Sequence, residues 1–297
     1  MRRLRRWVTL SISLAVLVVV VPDSGRQQFR ASLVAVEGAS GLDTGDGVVW
    51  ILALGSDARP GEPVLRSRAD AIQLVGVNAR TSDSTVIGIP RDSYVDIPGH
   101  GRDKINASLV YGGPELAARA VAGLVGIEPD YVFTTSFAGF QRMVFVLGGV
   151  NVYSPDSYVE PLASIRRGFN DLNGVESLVF VRERYALPDG DFDRSRNQGR
   201  FLTDGLRALR QRADEPGALE RLVYSFTQHT DIDVGPVELY RLARAVLAVD
   251  PRRTSRCVLD GSIGMAGSES VVFPDRQQAR SLGRRAGRDA KLEGGCG

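Results

Sequence analysis

Val48-Val-Trp-Ile-Leu-Ala-Leu54 is an unbroken apolar run of strand length. A strand with one wet face alternates apolar and polar residues, whereas an unbroken run belongs to a strand covered on both faces. Two further strands, Ala71 to Val77 and Thr85 to Ile89, follow across the turn-like segment Asn78 to Ser84. Pro90 to Pro98 then leads through a short strand into a loop from Gly99 to Asn106. Pro114 opens a helix that Gly126 ends, and Leu116, Ala120, Val121 and Leu124 share one side of it. Tyr131 to Thr135 reads as a strand, Phe137 to Leu147 as a helix and Val150 to Tyr153 as a strand. Helical patterns dominate from Gly174 to Val249, and Val271-Val-Phe273 is expected to return to the sheet. Interleaved strands and helices followed by a helical block predict an α/β sandwich with a mixed sheet.

At 297 residues the chain can bury one large core, or one domain with an appendage. Its 43% apolar and 24% charged residues are those of a globular protein. A net charge of +2 argues against nucleic acid as a partner. Lys104 and Lys291 are the only lysines, so arginine carries the positive charge. A GC-rich genome explains that bias, so the clustering of arginines is informative and their number is not.

Met1-Arg-Arg-Leu-Arg-Arg6 is a basic flank to an uncharged, mostly apolar stretch from Trp7 to Val21, closed by Pro22. Residues 7–22 are short for a span of about 20 residues, but snorkelling arginines extend them. A cleaved signal peptide competes with this reading, yet no small-x-small cleavage site follows Val21. The expectation is a single-pass signal anchor at the cell membrane, with residues 1–6 cytoplasmic and the rest exported. Gly38 to Gly47 is rich in Gly, Asp and Ser, so residues 23–47 read as a linker or stalk, and a folded domain is expected over 48–250. Residues 251–297 form an arginine-rich tail, which a Cys257–Cys296 disulfide could clip in an oxidising compartment. With only His100 and His229 available, a His-rich metal site or a histidine triad is improbable.

The densest chemistry lies between Val181 and Gln198, where Arg182, Arg184, Arg194 and Arg196 surround Asp189, Asp191 and Asp193. Guanidinium groups match phosphate oxygens bidentately, and nearby carboxylates can hold the divalent ion that a diphosphate brings. A helix starting near Asp191 places Asp191, Arg194, Gln198, Leu202, Gly205 and Leu209 on one stripe. That stripe must face the core, yet its N-terminal part is polar, as an anion or metal pocket at a helix N-terminus requires. Arg196 and Arg200 point the other way, towards water. Val175, Leu178, Val179 and Arg182 share a face, so Arg182 ends a second apolar stripe. The bland alternative is a salt-bridged surface loop. Asp57 with Arg59, Arg68 with Asp70, Arg91 with Asp92, and Lys104 with Asn106 put the same residue types at the ends of apolar segments. A Gly-x-x-x-x-Gly-Lys-Ser/Thr loop and a Gly-x-Ser-x-Gly elbow are both missing from the sequence.

Gly-Ser-Asp57-Ala-Arg59, Arg68-Ala-Asp70, Ile-Pro-Arg91-Asp92, Lys104-Ile-Asn106, Leu147-Gly-Gly-Val150, Leu172-Asn-Gly174, Val181-Arg-Glu-Arg184 and Gly190-Asp-Phe-Asp-Arg194 occur in order. As a set, over roughly 48–209, they resemble the LytR-CpsA-Psr family of bacterial cell-wall enzymes. The resemblance implies a three-layer α-β-α sandwich with a central mixed sheet, behind one N-terminal transmembrane helix, with a hydrophobic tunnel for lipid. It implies a phosphotransferase outside the membrane. Such an enzyme moves a teichoic-acid-like or arabinogalactan-like polymer from polyprenyl pyrophosphate to peptidoglycan through a phosphodiester. By motif position, Asp57 and Asp191 would hold Mg²⁺, with Mn²⁺ the alternative. Arg59, Arg68, Arg91, Lys104, Arg182, Arg184 and Arg194 would bind the pyrophosphate, supported by Gln198. Asp70 would be a base or a structural partner; Asp57, Arg91, Asp191 and Asp70 are the catalytic candidates. Ala69 and Gly88 stand where the family usually has Ser, and Asp193 where Gly is common; none removes a charged site residue. A pyrophosphatase using water, and a noncatalytic regulatory protein with a polyanion pocket, remain open alternatives.

Overall fold

A computed structural model describes residues 31–38, 47–215, 217–293 and 295–296. The expected anchor at 7–22 lies outside the described residues; among those described, no helix is long and apolar enough to cross a membrane. The core is a seven-stranded mixed sheet in the order β12-β1-β7-β2-β3-β4-β13. Its strands are β1 (Ala31–Ala35), β2 (Val48–Ser56), β3 (Ala69–Asn78), β4 (Ser84–Gly88), β7 (Tyr131–Ser136), β12 (Thr230–Asp233) and β13 (Thr254–Val258). β2 runs antiparallel to β3 and parallel to β7. The unbroken apolar run now has its cause. Val48, Trp50, Leu52 and Leu54 enter one buried cluster, while Val49 and Ile51 face another on the opposite side.

Helices cover both faces. On the first lie α1 (Ala107–Val125) and the C-terminal α7 (Arg276–Ala286), with Leu116, Val121, Ala279 and Leu282 fully buried. α1 carries a kink at Gly113, and Pro114 opens its second segment as the sequence predicts. On the second face lie α4 (Asp191–Ala213), α5 (Ala218–Thr227) and α6 (Pro236–Ala248). A smaller cluster joins α2 (Phe137–Leu147) and α3 (Gly174–Arg182) to the strands β8 (Val150–Ser154), β9 (Tyr158–Glu160), β10 (Ala163–Ile165) and β11 (Gly168–Leu172).

Several sequence expectations give way here. The supposed stalk contains β1, which pairs with β7 and β12 and buries Leu33 against Leu239 and Leu242, so the folded domain starts upstream of Val48. At the other end β13 pairs with β4, and α7 packs on α1, so residues 251–293 are part of the domain and not a tail. Cys257 on β13 is disulfide-bonded to Cys296, with Cα atoms 5.4 Å apart. Val271-Val-Phe273 does not join the central sheet; it lies in the hairpin of β14 (Gly261–Ala266) and β15 (Glu269–Pro274). The expected loop after Gly99 contains β6 (Gly101–Lys104), paired with β5 (Tyr94–Ile97). β6 is short and polar, so periodicity could not reveal it.

Candidate active site

The C-terminal end of β2 and the N-terminal end of β3 meet at a register shift, with Gly55 opposite Ala71 and Ser56 opposite Ala69. Asp70 is therefore the bulged residue, and bulges of this kind re-aim a side chain at a strand end. Its carboxylate is ion-paired and hydrogen-bonded to Arg91. Beside it, the Asp57 amide donates to the Arg68 carbonyl at 2.9 Å. Asn106 holds the same corner through its backbone: its amide donates to the Arg91 carbonyl and its carbonyl accepts from Ala69.

α4 brings the second half. Gly190, with φ 53°, turns the chain into the helix, and Asp191 begins it. Arg194 is buried, and its Nη2 lies 2.5 Å from Asp191 Oδ1, with Arg184 Nη1 3.9 Å from the same oxygen. The Arg194 contact is close but off-axis: both Asp191 carboxylate oxygens are buried and accept no hydrogen bond from any described residue. Burial lowers the Arg194 pKa, and Arg91 and Arg184 repel it further, against the attraction of Asp191 and Asp70. Burial also works against the Arg91 guanidinium, but Asp70 and Asp92, with Asp191 behind them, raise its pKa overall. The Asp57 carboxyl is pushed up by burial and then by Asp70, against a smaller opposing pull from Arg68 and Arg91.

Close approach of α4 to the sheet depends on Gly88, where a Cβ would fall 2.5 Å from Ser195 Oγ. Gln73, buried in β3, donates to the Ser195 carbonyl, Ser195 Oγ and Gln198 Oε1, each at 3.2 Å. Gln198 Nε2 in turn donates to the Val181 carbonyl at 3.0 Å and the Asp70 carbonyl at 3.5 Å. Gln198 is thus committed to protein partners, tying α4 to the Val181 and Asp70 carbonyls. Sequence reasoning overlooked Gln73, yet a lone amide inside the apolar stretch Ala71 to Val77 was the signal for it.

The remaining predicted residues divide. Arg59 and Arg68 are exposed at the strand ends. Arg182 places its guanidinium over the Phe137 ring at 4.3 Å. The apolar stripe assigned to Arg182 is corrected: α3 buries Ser177 and Phe180, while Val175 is 43% exposed. Lys104 Nζ lies 3.6 Å from Asp92 and 3.3 Å from Glu269, flanked by two carboxylates. Arg196 is bonded to Asp189 and Asp193 as the bland reading expected.

A cavity of about 1740 Å³ opens between the sheet and the second helical layer. That exceeds the ~300–1,000 Å³ usual for small-molecule pockets. Ile51, Val75, Phe133, Leu206, Val223 and Leu242 are among its apolar walls. It therefore corrects the α4 stripe, whose Leu202 and Leu209 line this space and are not packed in a closed core. Along the strands it runs from Val77, Ser84 and Thr254 to Ala58, Arg59, Ser136 and Phe137. The last four lie at the Asp57 end of the sheet, Arg59 two residues from Asp57 and Phe137 directly under the Arg182 guanidinium.

Both Asp191 oxygens, buried and without a hydrogen bond from a described residue, suit a divalent cation, while burial works against the charged forms of Asp57 and Arg194. Among the described residues no group of three or more His, Cys, Asp or Glu could hold a metal.

An α/β protein with an apolar cavity ending in arginines and acidic side chains is built for a ligand with a long apolar tail and a phosphate head. A LytR_cpsA_psr family model matches residues 24–286, and the chain belongs to that family. It is 31% identical over 227 residues to the polyisoprenyl-teichoic acid–peptidoglycan teichoic acid transferase TagT of Bacillus subtilis, covering 68% of this chain and 70% of TagT. It is 36% identical over 187 residues to the probable cell wall biosynthesis protein LcpB of Corynebacterium glutamicum, covering 58% of this chain but 44% of LcpB. Among solved structures, TagT (YwtF) with bound octaprenyl pyrophosphate lipid superposes with a TM-score of 0.64 at 22% identity. That match covers 86% of this chain and 95% of the other.

Proposed function

We propose that this chain is a phosphotransferase acting outside the membrane, which moves a glycopolymer from a polyprenyl diphosphate carrier to peptidoglycan. The observation that carries this reading is the apolar cavity that reaches Arg59, two residues from Asp57, and Phe137, which lies under the Arg182 guanidinium. The polyprenyl chain would lie in the cavity, where burial of each CH₂ is worth about 0.8 kcal/mol. Its diphosphate would sit against Arg91, Arg184 and Arg194, with Arg59, Arg68 and Arg182 at the rim. Asp70 keeps Arg91 oriented and is already paired, which favours a structural over a basic role for it.

In the reaction, an acceptor hydroxyl oxygen bonds to the glycan-side phosphorus. The bond from that phosphorus to the oxygen shared with polyprenyl phosphate breaks, and the hydroxyl proton ends in water. Such transfers need chiefly charge stabilisation and alignment, which the guanidinium groups provide on the equatorial oxygens and on the leaving phosphate. Asp57 and Asp191 would hold Mg²⁺, which when bound would neutralise diphosphate charge. The TagT name and its lipid complex support the substrate class.

The test incubates the full chain in detergent with a polyprenyl-diphosphate glycan, Mg²⁺ and peptidoglycan. Covalent transfer that disappears in Asp191→Asn is the expected result. Release of free glycan phosphate with no transfer would replace this reading with a pyrophosphatase.

A further inference from the structure

Donor and acceptor cannot occupy the same side of the phosphorus, because attacking and leaving oxygens lie roughly in line in phosphoryl transfer. The reading above, on which this inference rests, places the leaving polyprenyl phosphate on the cavity side of the sheet. That cavity is walled by Ile51, Ala53, Val75 and Val86. The opposite side chains, Leu52, Leu54, Leu74 and Ile87, pack with Val95, Ile97, Ile105 and Leu109 of the β5–β6 hairpin and α1. The acceptor must therefore arrive over that hairpin and the start of α1.

The surface there is aromatic and polar. His100 and Tyr111 stack with centroids 4.8 Å apart and planes 10° from parallel. Tyr111 is 42% exposed, and its hydroxyl donates to Asp103 Oδ2 at 2.5 Å, which fixes the ring. Arg66 Nη1 donates to the Tyr111 carbonyl at 3.1 Å. The charges of Arg68, beside Asp57, and of Glu269, paired with Lys104, both act on Tyr111. Further along, Arg102 lies over the Tyr94 ring at 4.7 Å. Nothing in the core requires these rings to be exposed. A pyranose has an apolar C–H face that lies flat on the negative face of an aromatic ring, and a rim of hydroxyls that carboxylates and guanidiniums can bond. The segment that carries Arg66, bonded to the Tyr111 carbonyl, continues to Arg68, whose carbonyl accepts from Asp57, and this separates the surface from an isolated exposed patch.

We propose that His100, Tyr111 and Asp103 form the acceptor subsite, which holds a saccharide of the peptidoglycan glycan strand on the face of the sheet opposite the lipid.

The full chain in detergent is assayed with donor at saturation and peptidoglycan fragments varied, then the reverse. Tyr111→Ala and His100→Ala are expected to raise the acceptor KM by roughly ten-fold each, the scale of one aromatic contact, with the donor KM unchanged. Tyr111→Trp keeps a stacking face and should recover most of the loss. Co-sedimentation with insoluble peptidoglycan, without donor, should fall in the same two alanine variants. An unchanged acceptor KM and unchanged sedimentation in both would overturn the inference while leaving the proposed reaction intact. A wild-type chain that never transfers to peptidoglycan would overturn the reaction instead, and sedimentation would still decide the subsite. His100 lies on an exposed turn, so its variant answers the question even if Tyr111→Ala folds poorly.

Discussion

α4 begins with two Asp-x-x-Arg pairs, offset by two residues, and they have opposite fates. Asp191 and Arg194 approach to 2.5 Å in a buried corner, and Asp193 and Arg196 to 2.6 Å at the half-exposed outer face. The outer pair is saturated: Asp193 also accepts from the Asp189 amide at 2.9 Å, and Arg196 also donates to Asp189 at 2.9 Å. The inner pair is not, since neither Asp191 oxygen accepts a hydrogen bond from a described residue, and Arg194 is crowded by Arg91 and Arg184. Identical chemistry two residues apart thus stabilises a loop on one face and leaves polar capacity for a ligand on the other. Buried charge with unmet partners costs stability, and a fold keeps it where function needs it.

The largest effect should come from neutralising the inner pair. Asp191→Asn with Arg194→Gln is expected to lower transfer by at least about 100- to 1,000-fold, the usual scale for one charge-stabilising group. Thermal unfolding of the same double variant should show unchanged or slightly higher stability, since two desolvated charges leave together. A clear loss of stability would make the inner pair structural like the outer one.

Next is the apolar cavity between the sheet and the second helical layer. Leu206→Trp fills part of its wall and should weaken long-chain polyprenyl donors by about ten-fold, or ~1.4 kcal/mol, while sparing short ones. An equal loss for both chain lengths would detach the cavity from lipid binding.

The outer pair sets the lower end. Arg196→Gln should leave transfer within about two-fold and cost roughly 0.5–1 kcal/mol of stability, as exposed pairs do. A smaller effect with a pH signature is expected at Asp83, whose carboxyl Arg253 holds below its ordinary value through two hydrogen bonds at 2.9 and 3.0 Å. A lowered folded pKa stabilises above the unfolded value near 4 and loses that contribution as pH falls through the folded one. Arg253→Gln should therefore lower stability slightly at pH 7, and by progressively less as pH falls below about 4, in denaturant titrations.

Much of this division was legible in the sequence because both helical phase and residue chemistry are local. The phase of α4 turns Asp191, Arg194 and Gln198 inward and Arg196 outward, as found. The inner strands β2, β3, β4 and β7 were readable from apolar runs. What was not legible depends on contacts far along the chain. β1, β12 and β13 are recruited to the sheet by their neighbours, and five residues such as Thr254-Ser-Arg-Cys-Val258 carry no periodicity that says so. Gln198 has the type of a ligand-binding residue, but Gln73 and two backbone carbonyls occupy it. The alternation of α4 between sheet and cavity could not be told from a closed core, since both demand leucine.

The most direct measurement is calorimetric binding of geranylgeranyl diphosphate with Mg²⁺ to the full chain in detergent. Wild type would be compared with Asp191→Asn/Arg194→Gln and with Asp193→Asn/Arg196→Gln. The account predicts that the inner double variant loses at least about ten-fold in affinity and the outer one keeps wild-type binding. Equal binding by all three, or a loss confined to the outer variant, would contradict it.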